Sequence, residues 1–344
     1  MTSIPLKDGR VLETEILECP LSPDRQREVT ELLQTQWPQG DLRREEALAG
    51  DYADTLRIVV VLGRKNNRCV GTATVAFPVR DAELGVICDI MTLAEHRRSG
   101  IAGNVTRVAI EQFERHSPGP LYLGTLREGD AWRVYQRLGF EWYHGGVMRR
   151  VTESAAAFDD SYFAPGQTTC VRPAQWADLP GVSALLTRPY PLVAGNLEHE
   201  IYSPRWAPQN RCVSIFPTIY YDVSARGGAC HVLVGERAHR ILGLASIAPI
   251  DDPHQRHTGV LEIMTHESHS DHGPALLKAT LDAGRARGIG RVIARVPVPD
   301  RLKADWFRKL SARPAGRCPG SPQLQKIGVE VETFEFGDGP LVHS

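Results

Sequence analysis

The sequence predicts an α/β (α+β) protein made of two successive domains of similar plan, and three observations predict it. An apolar strand pattern at Cys88-Asp89-Ile90-Met91-Thr92 runs through a polar loop into a helix, where Ile101, Val105, Val108, Ala109 and Phe113 recur at helical spacing. Much of this pattern returns further on: Asp89-Ile90-Met91-Thr92 reappears as Glu262-Ile263-Met264-Thr265, and Gly100 and Ala102 as Gly273 and Ala275, each 173 residues later. A chain of 344 residues is also too long for one ordinary domain and suits two of roughly 150 to 200 residues. So long a period means duplicated domains and not a solenoid.

In order, residues 10–18 read as a strand, and Ser22-Pro23-Asp24 introduces a helix to about Gln36, with Ser22 as N-cap. Residues 57–63 and 69–76 are two apolar strands joined by the polar turn Arg64-Lys65-Asn66-Asn67-Arg68. Then comes the strand at 88–92 and the loop Arg97-Arg98-Ser99-Gly100 before the helix at 101–113. A helix N-terminus offers unpaired backbone N–H groups and a partial positive charge, and Gly100 lets the backbone approach a ligand closely. With two arginines beside it, this turn is suited to an anion with several oxygens, such as a pyrophosphate. Leu121-Tyr122-Leu123-Gly124-Thr125 is the next strand, followed by a helix at 131–138 that ends in Leu138-Gly139-Phe140. The first domain is assigned to residues 1–150, a linker without sustained periodicity to 151–166, and the second domain to 167–344.

The second half keeps the hairpin, with Leu242-Gly243-Leu244-Ala245 answering Val70-Gly71-Thr72-Ala73. Its differences carry most of the functional information. Arg97 and Arg98 become Ser270 and Asp271, which removes two cations and adds a carboxylate, Tyr135 becomes Phe307, and Pro274 removes one N–H from the first helical turn.

Composition excludes several classes. The chain is 42% hydrophobic and 24% charged, as soluble globular proteins are. A formal net charge of −1 argues against a general nucleic-acid or anionic-membrane binder. The N-terminal residues lack the apolar core of a signal peptide, and no stretch approaches the roughly 20 apolar residues of a membrane span. Seven scattered cysteines without a Cys-x-x-Cys pair suggest neither a disulfide framework nor a zinc site, so a reducing cytoplasm is the expected location. His254, His257, His266, His269 and His272 form a dense run, read as solvated loop histidines in preference to metal ligands. Tyr190, Tyr202, Trp206, Phe216, Tyr220 and Tyr221 are read as core aromatics, with the lining of an acceptor pocket as the alternative.

The strand, the Arg-x-x-Gly-x-Ala loop and the tyrosine helix closing in Leu-Gly-Phe together resemble the GNAT superfamily of N-acyltransferases, over residues 83–150. The resemblance implies two tandem domains, each a mixed, mostly antiparallel sheet flanked by helices. In layout this is similar to mycothiol synthases, although there the C-terminal copy is the working one. The resemblance also implies acetyl-coenzyme A or another acyl-coenzyme A as co-substrate, no metal, and a small-molecule amine as acceptor, with a homodimer left open and no nucleic-acid or membrane partner.

On this reading Ile101, Ala102, Gly103 and Asn104 supply backbone N–H groups to the pyrophosphate, and Arg97, Arg98, Ser99 and Gly100 shape the loop. The backbone of Ile90, Met91 and Thr92 pairs with the pantetheine amides, as a strand edge can. Tyr135 stands at the family's position for the acid that protonates the departing thiolate. A tyrosine pKa is about 10 against about 8.5 for a cysteine-like thiol, so its O–H is protonated at neutral pH. Asp89 is the first candidate to receive the amine's proton, with a structural carboxylate satisfied by backbone or by an arginine as the alternative, and Glu83 is the second candidate. Glu128 stands where many family members carry an asparagine on the cofactor arm, which puts that contact in doubt. Cys88 is read as strand packing, with no acyl-cysteine required. An acyl-carrier-protein or aminoacyl-tRNA donor, and a non-catalytic acyl-coenzyme A sensor, are the alternatives.

Overall fold

A computed structural model describes residues 2–6, 9–38, 42–125, 129–144, 146–152, 154–207, 215–235, 240–252, 254–255 and 257–337. Their elements in chain order begin with β1 (Thr2–Pro5), β2 (Val11–Glu18), α1 (Pro23–Gln34), α2 (Leu42–Ala49), β3 (Leu56–Lys65), β4 (Arg68–Pro78) and β5 (Gly85–Thr92). They continue with α3 (Ile101–Glu114), β6 (Leu121–Gly124), α4 (Ala131–Arg137), β7 (Glu141–His144), β8 (Val147–Arg150), α5 (Ala155–Tyr162), β9 (Thr169–Pro173) and α6 (Leu179–Thr187). The remainder are β10 (Ala194–Asn196), β11 (Ile201–Tyr202), α7 (Ile215–Ala225), β12 (Ala229–Gly235), β13 (Arg240–Pro249), β14 (Thr258–Thr265), α8 (Gly273–Ala286), β15 (Arg291–Pro297), α9 (Arg301–Lys309), β16 (Arg313–Pro319), α10 (Pro322–Lys326) and β17 (Glu330–Phe336). No helix among the described residues is long and apolar enough to cross a membrane.

The chain divides into two compact units, the first chiefly Met1–Ala155 with Gln175–Ser183, the second Ala156–Ala174, Ala184–Arg211 and Ile215–Ser344. In the first unit eight strands follow the order β1-β2-β3-β4-β5-β6-β8-β7, antiparallel except for β5 beside β6. β3 and β4 are buried along nearly their whole length, which is why they read as continuous apolar runs and not as alternation. Their connection is tighter than the five-residue turn expected: only Asn66 and Asn67 turn, at φ 51° and 62°, a left-handed pair that asparagine tolerates in a two-residue hairpin. On α3 every residue at the expected helical spacing is buried, and Phe113 meets Phe77 edge-on at 5.4 Å.

In the second unit seven strands run β16-β17-β15-β14-β13-β12-β9, again antiparallel except for one parallel pair, β14 beside β15. Position for position this is the strand order of β2 to β8 in the first unit, so the repeat in sequence is a repeat in topology. The stretch read as the linker contains α5, whose Tyr162 is 2% exposed and accepts a hydrogen bond from Ile241 N at 2.9 Å. That aromatic has a core to join, which outweighs the weak periodicity of the segment.

Candidate active site

The site is built on an irregularity in β5. Between the pairs Thr72–Met91 and Thr74–Cys88 two residues advance on β4 but three on β5, so β5 carries an extra residue at Asp89–Ile90. Asp89 absorbs the bulge with φ +50°, a conformation that aspartate tolerates better than most residues. The parallel pairing of β5 with β6 ends at Ile87–Leu123, just before the bulge. Beyond it β5 keeps its β4 partner only, among the described residues. Leu93 N–H donates to Val70 O at 2.9 Å, so by alternation the backbone of Met91 also faces β4, while those of Ile90 and Thr92 face the open side. Of the three residues expected to present backbone to a ligand, two do so.

The loop after β5 turns back at Gly100, whose φ of +95° is the left-handed value that favours glycine, and α3 starts at Ile101. No side chain caps this helix and its first turn holds no acidic residue. The N–H groups of Ile101, Ala102 and Gly103 are therefore the unpaired donors of the helix start. Asn104 N–H is not one of them, because it donates to Gly100 O at 3.1 Å. Arg97 is held by Thr92 O and by Gln36 Oε1 at 2.9 Å. Arg98, also exposed, has no ion-pair or hydrogen-bond partner among the described residues.

A cavity of about 910 Å³ joins these groups. Ile90, Met91, Thr92 and every residue from Arg97 to Asn104 line it, as do Tyr135 of α4, Gln36, Trp37, Arg107 and Arg137. Tyr135 is 6% exposed and lies edge-on to Phe140 at 6.3 Å, so its ring is fixed by packing while it borders the cavity. An elongated ligand with phosphates at one end fits this set: unpaired N–H groups and Arg98 at the helix start, strand backbone along the middle, and the tyrosine at the inner end.

Two expected positions do not line the cavity, and a third is not described. Glu83 precedes β5 and is not among the residues that line the cavity. Asp89 is not among the residues that line the cavity, and it has the arginine partner that was the alternative to a catalytic role. Its Oδ1 accepts from Arg44 Nη2 at 3.1 Å, and both side chains are about four-fifths buried. Glu128 lies outside the described residues. Sequence reading missed Trp37 and Arg44 altogether. The guanidinium of Arg44, on α2, sits 5.6 Å from the centre of the Trp37 ring. The signal available was the run Arg43-Arg44-Glu45-Glu46-Ala47-Leu48-Ala49, all good helix formers, just after a lone tryptophan.

The second unit treats the same positions differently. β13 and β14 pair without a bulge, and the parallel pairing of β14 with β15 ends at Leu261–Ala294. The wedge beyond is filled by the chain itself. Val193 N and Ala194 N donate to Asp300 at 2.6 and 3.3 Å, Lys303 Nζ donates to Ala194 O at 2.7 Å, and Glu198 N donates to Glu262 Oε1 at 3.2 Å. Burial pushes Glu262 up to about 7 and Asp300 above the usual carboxylate range, and holds Lys303 below the usual lysine value. Gly273, the counterpart of Gly100, is helical at φ −53°, and a Cβ there would collide with the indole of Trp306. Phe307 is a core residue packed on Phe334 and Phe336 at 5.6 Å each. Of the five histidines of the run, His254 and His257 are exposed as expected, while His266 and His269 are buried. His266 stacks on Phe163 at 4.2 Å and burial pushes it down to about 4, and His269 is 1% exposed. Tyr190, Tyr202 and Phe216 are buried within this unit, whereas Trp206 and Tyr221 are exposed.

Residues 26–140, 115 of the 344, match the model of the Acetyltransferase (GNAT) family. The first unit thus carries a GNAT acetyltransferase domain, and the enzyme class this domain supports is acyltransferase. No curated protein matches the sequence. Among solved structures, a ribosomal-protein-alanine N-acetyltransferase from Brucella melitensis aligns with 48% of this chain and 98% of its own, at 18% identity and a TM-score of 0.40. An N-acetyltransferase from Staphylococcus aureus Mu50 aligns with 50% and 99% at 13% identity and 0.39, and a ribosomal-protein-S5-alanine acetyltransferase from Vibrio fischeri with 51% and 96% at 14% and 0.38. These are likenesses to part of the chain, and the family assignment rests on the family model.

Proposed function

We propose that the protein is an N-acyltransferase that moves acetyl or another short acyl group from acyl-coenzyme A to the amine of a small molecule, with donor binding and chemistry both in the first unit. The observation that carries this is the single cavity in which the open β5 backbone, the uncapped α3 start and Tyr135 meet. The donor brings a thioester, whose carbonyl carbon is the electrophile. Ile101, Ala102 and Gly103 N–H with Arg98 hold the pyrophosphate, and Arg107 and Arg137 on the same wall suit the remaining phosphate of a nucleotide donor better than a bare pantetheine arm. Ile90 and Thr92 pair with the pantetheine amides and leave the thioester beside Tyr135.

In the reaction the amine nitrogen bonds to the carbonyl carbon and the carbon–sulfur bond breaks. Tyr135 gives its hydroxyl proton to the leaving sulfur, and the proton released by the amine restores the phenol through water. Orientation supplies much of the rate, because both reactants are held in one groove. The closed wedge and the Trp306-covered helix start of the second unit support a donor stoichiometry of one. The test is calorimetric titration of acetyl-coenzyme A into the full chain and into Gly100→Ala. One site per chain, weakened about tenfold or more in the variant by strain at a positive φ, is the expected result. Two sites, or undiminished affinity in the variant, would overturn the reading.

A further inference from the structure

We infer that the acceptor is an arylalkylamine, a primary amine carried on a short arm from an aromatic ring, and that the indole of Trp37 selects it by holding that ring. The inference deepens the donor reading above and rests on it. Once a donor occupies the α3 start, the open backbone of Ile90 and Thr92 and the edge of Tyr135, the lining left over includes Pro5, Gln36, Trp37 and Ala94. Apart from Gln36 this set is apolar, and the one carboxylate residue in the lining, among the described residues, is Asp130 of the segment leading into α4. Of the large apolar side chains that stand exposed among the described residues, Trp37 alone lines the cavity, and it is 40% exposed. An indole left in contact with water inside a ligand cavity gains from an apolar ligand that covers it.

The indole is held before any ligand arrives. Trp37 N–H donates to Leu33 O at 2.9 Å, which carries the helical turn on past the end of α1. Gln36 Oε1 accepts from Arg97 Nη2 at 2.9 Å, and Arg97 Nε donates to Thr92 O at 3.3 Å, so the residue before Trp37 is tied to the end of β5. The guanidinium of Arg44 lies over the ring, 5.6 Å from its centre, and is itself paired with Asp89 at the bulge. Trp37 is thus anchored to both ends of the stretch from Asp89 to Thr92, along which the donor arm is read to lie. Little orientation entropy is lost when a ligand stacks on a ring fixed in this way. Arg44 does not line the cavity, so the face it covers is turned away and a ligand meets the remaining face and edge. The cation behind the ring also discriminates between amines. It opposes a second cation on the indole, which disfavours polyamines, and leaves the stacking of a neutral ring untouched. A ring laid there leaves its arm and amine free to reach into the cavity towards the thioester.

The experiment measures thiol release from acetyl-coenzyme A by the full chain with phenethylamine, tyramine and tryptamine as aromatic acceptors, cyclohexylethylamine and butylamine as aliphatic ones, and spermidine as a polyamine. Wild type is compared with Trp37→Leu and Trp37→Phe, and acetyl-coenzyme A affinity is titrated for each. At least one aromatic amine should be used with kcat/KM about tenfold or more above cyclohexylethylamine and above spermidine. Trp37→Leu keeps apolar bulk and removes the aromatic face. In it the preference over cyclohexylethylamine should shrink about fivefold, through acceptor KM, with donor affinity unchanged; Trp37→Phe should keep most of it. Aromatic and saturated amines differ in basicity, but that difference is common to all three proteins and cancels between them. Aliphatic amines or spermidine used as well as aromatic ones, a preference that survives Trp37→Leu, donor affinity lost in that variant, or donor binding with no aromatic amine used would each overturn the inference. Should Trp37→Leu fail to fold, the wild-type ranking of the acceptors decides alone. Failure of acetyl-coenzyme A to bind the wild type would instead overturn the donor reading.

Discussion

Tyr135 is held on three sides. Its helix ends within a turn of it at Leu138, its ring rests on Phe140, and its outer edge borders the cavity. Replacement by phenylalanine keeps the packing and removes only the hydroxyl. The expected outcome is a kcat about 10²-fold lower with donor affinity nearly unchanged, read by steady-state kinetics beside calorimetry. An unchanged kcat would remove Tyr135 from the chemistry. At this scale the sequence was informative where a backbone conformation demands one residue type, as at Gly100 with its φ of +95°. It was silent about Arg44 and Asp89, 45 positions apart, because only the folded chain brings them to an ion pair.

At the scale of the element, α3 and the apolar strands were legible from spacing alone, since burial of one face imposes the period. The bulge in β5 was not. An extra residue leaves no mark in a run of mostly apolar letters, and the pairing that reveals it belongs to β4 as much as to β5. α2 was passed over because eight residues with mixed charge have little apolar periodicity to show. The bulge makes a prediction of its own. Ile90 and Thr92 amides face away from β4, so they should exchange with deuterium quickly in the free protein and slowly once acetyl-coenzyme A is bound. Met91, bonded towards β4, should be slow in both states. Equal protection of all three in the free protein would contradict the alternation argument.

For the whole molecule, the repeat announced the same fold twice, and the same strand order is found in both units. Its departures, Ser270, Asp271 and Phe307, were legible as losses of cation and proton donor. The replacement of a groove by the protein's own backbone was not, because the segment from Val193 to Glu198 has no counterpart in the first unit's sequence from which to read it. The ions that fasten this segment give the second unit a pH dependence. Glu262 is raised by burial from 4.5 to about 7. The folded protein thus keeps a proton there that the unfolded chain gives up, and this contribution to stability is full below about pH 4.5 and is lost as pH rises through about 7. Between pH 5 and pH 8 the unfolding free energy of wild type should fall, relative to Glu262→Gln, by about 2 kcal/mol. Denaturant titrations at a series of pH values measure it, and parallel curves for the two proteins would refute it.

Gly273 and Gly100 are the same letter kept for opposite reasons. Gly100 is retained by the turn it makes and by the emptiness around it, Gly273 by the tryptophan that leaves no room for a single further carbon. Duplication copies a residue together with its purpose, and afterwards the purpose can be exchanged while the residue stays. In this chain the two halves are distinguished by what surrounds the shared glycine and not by the glycine.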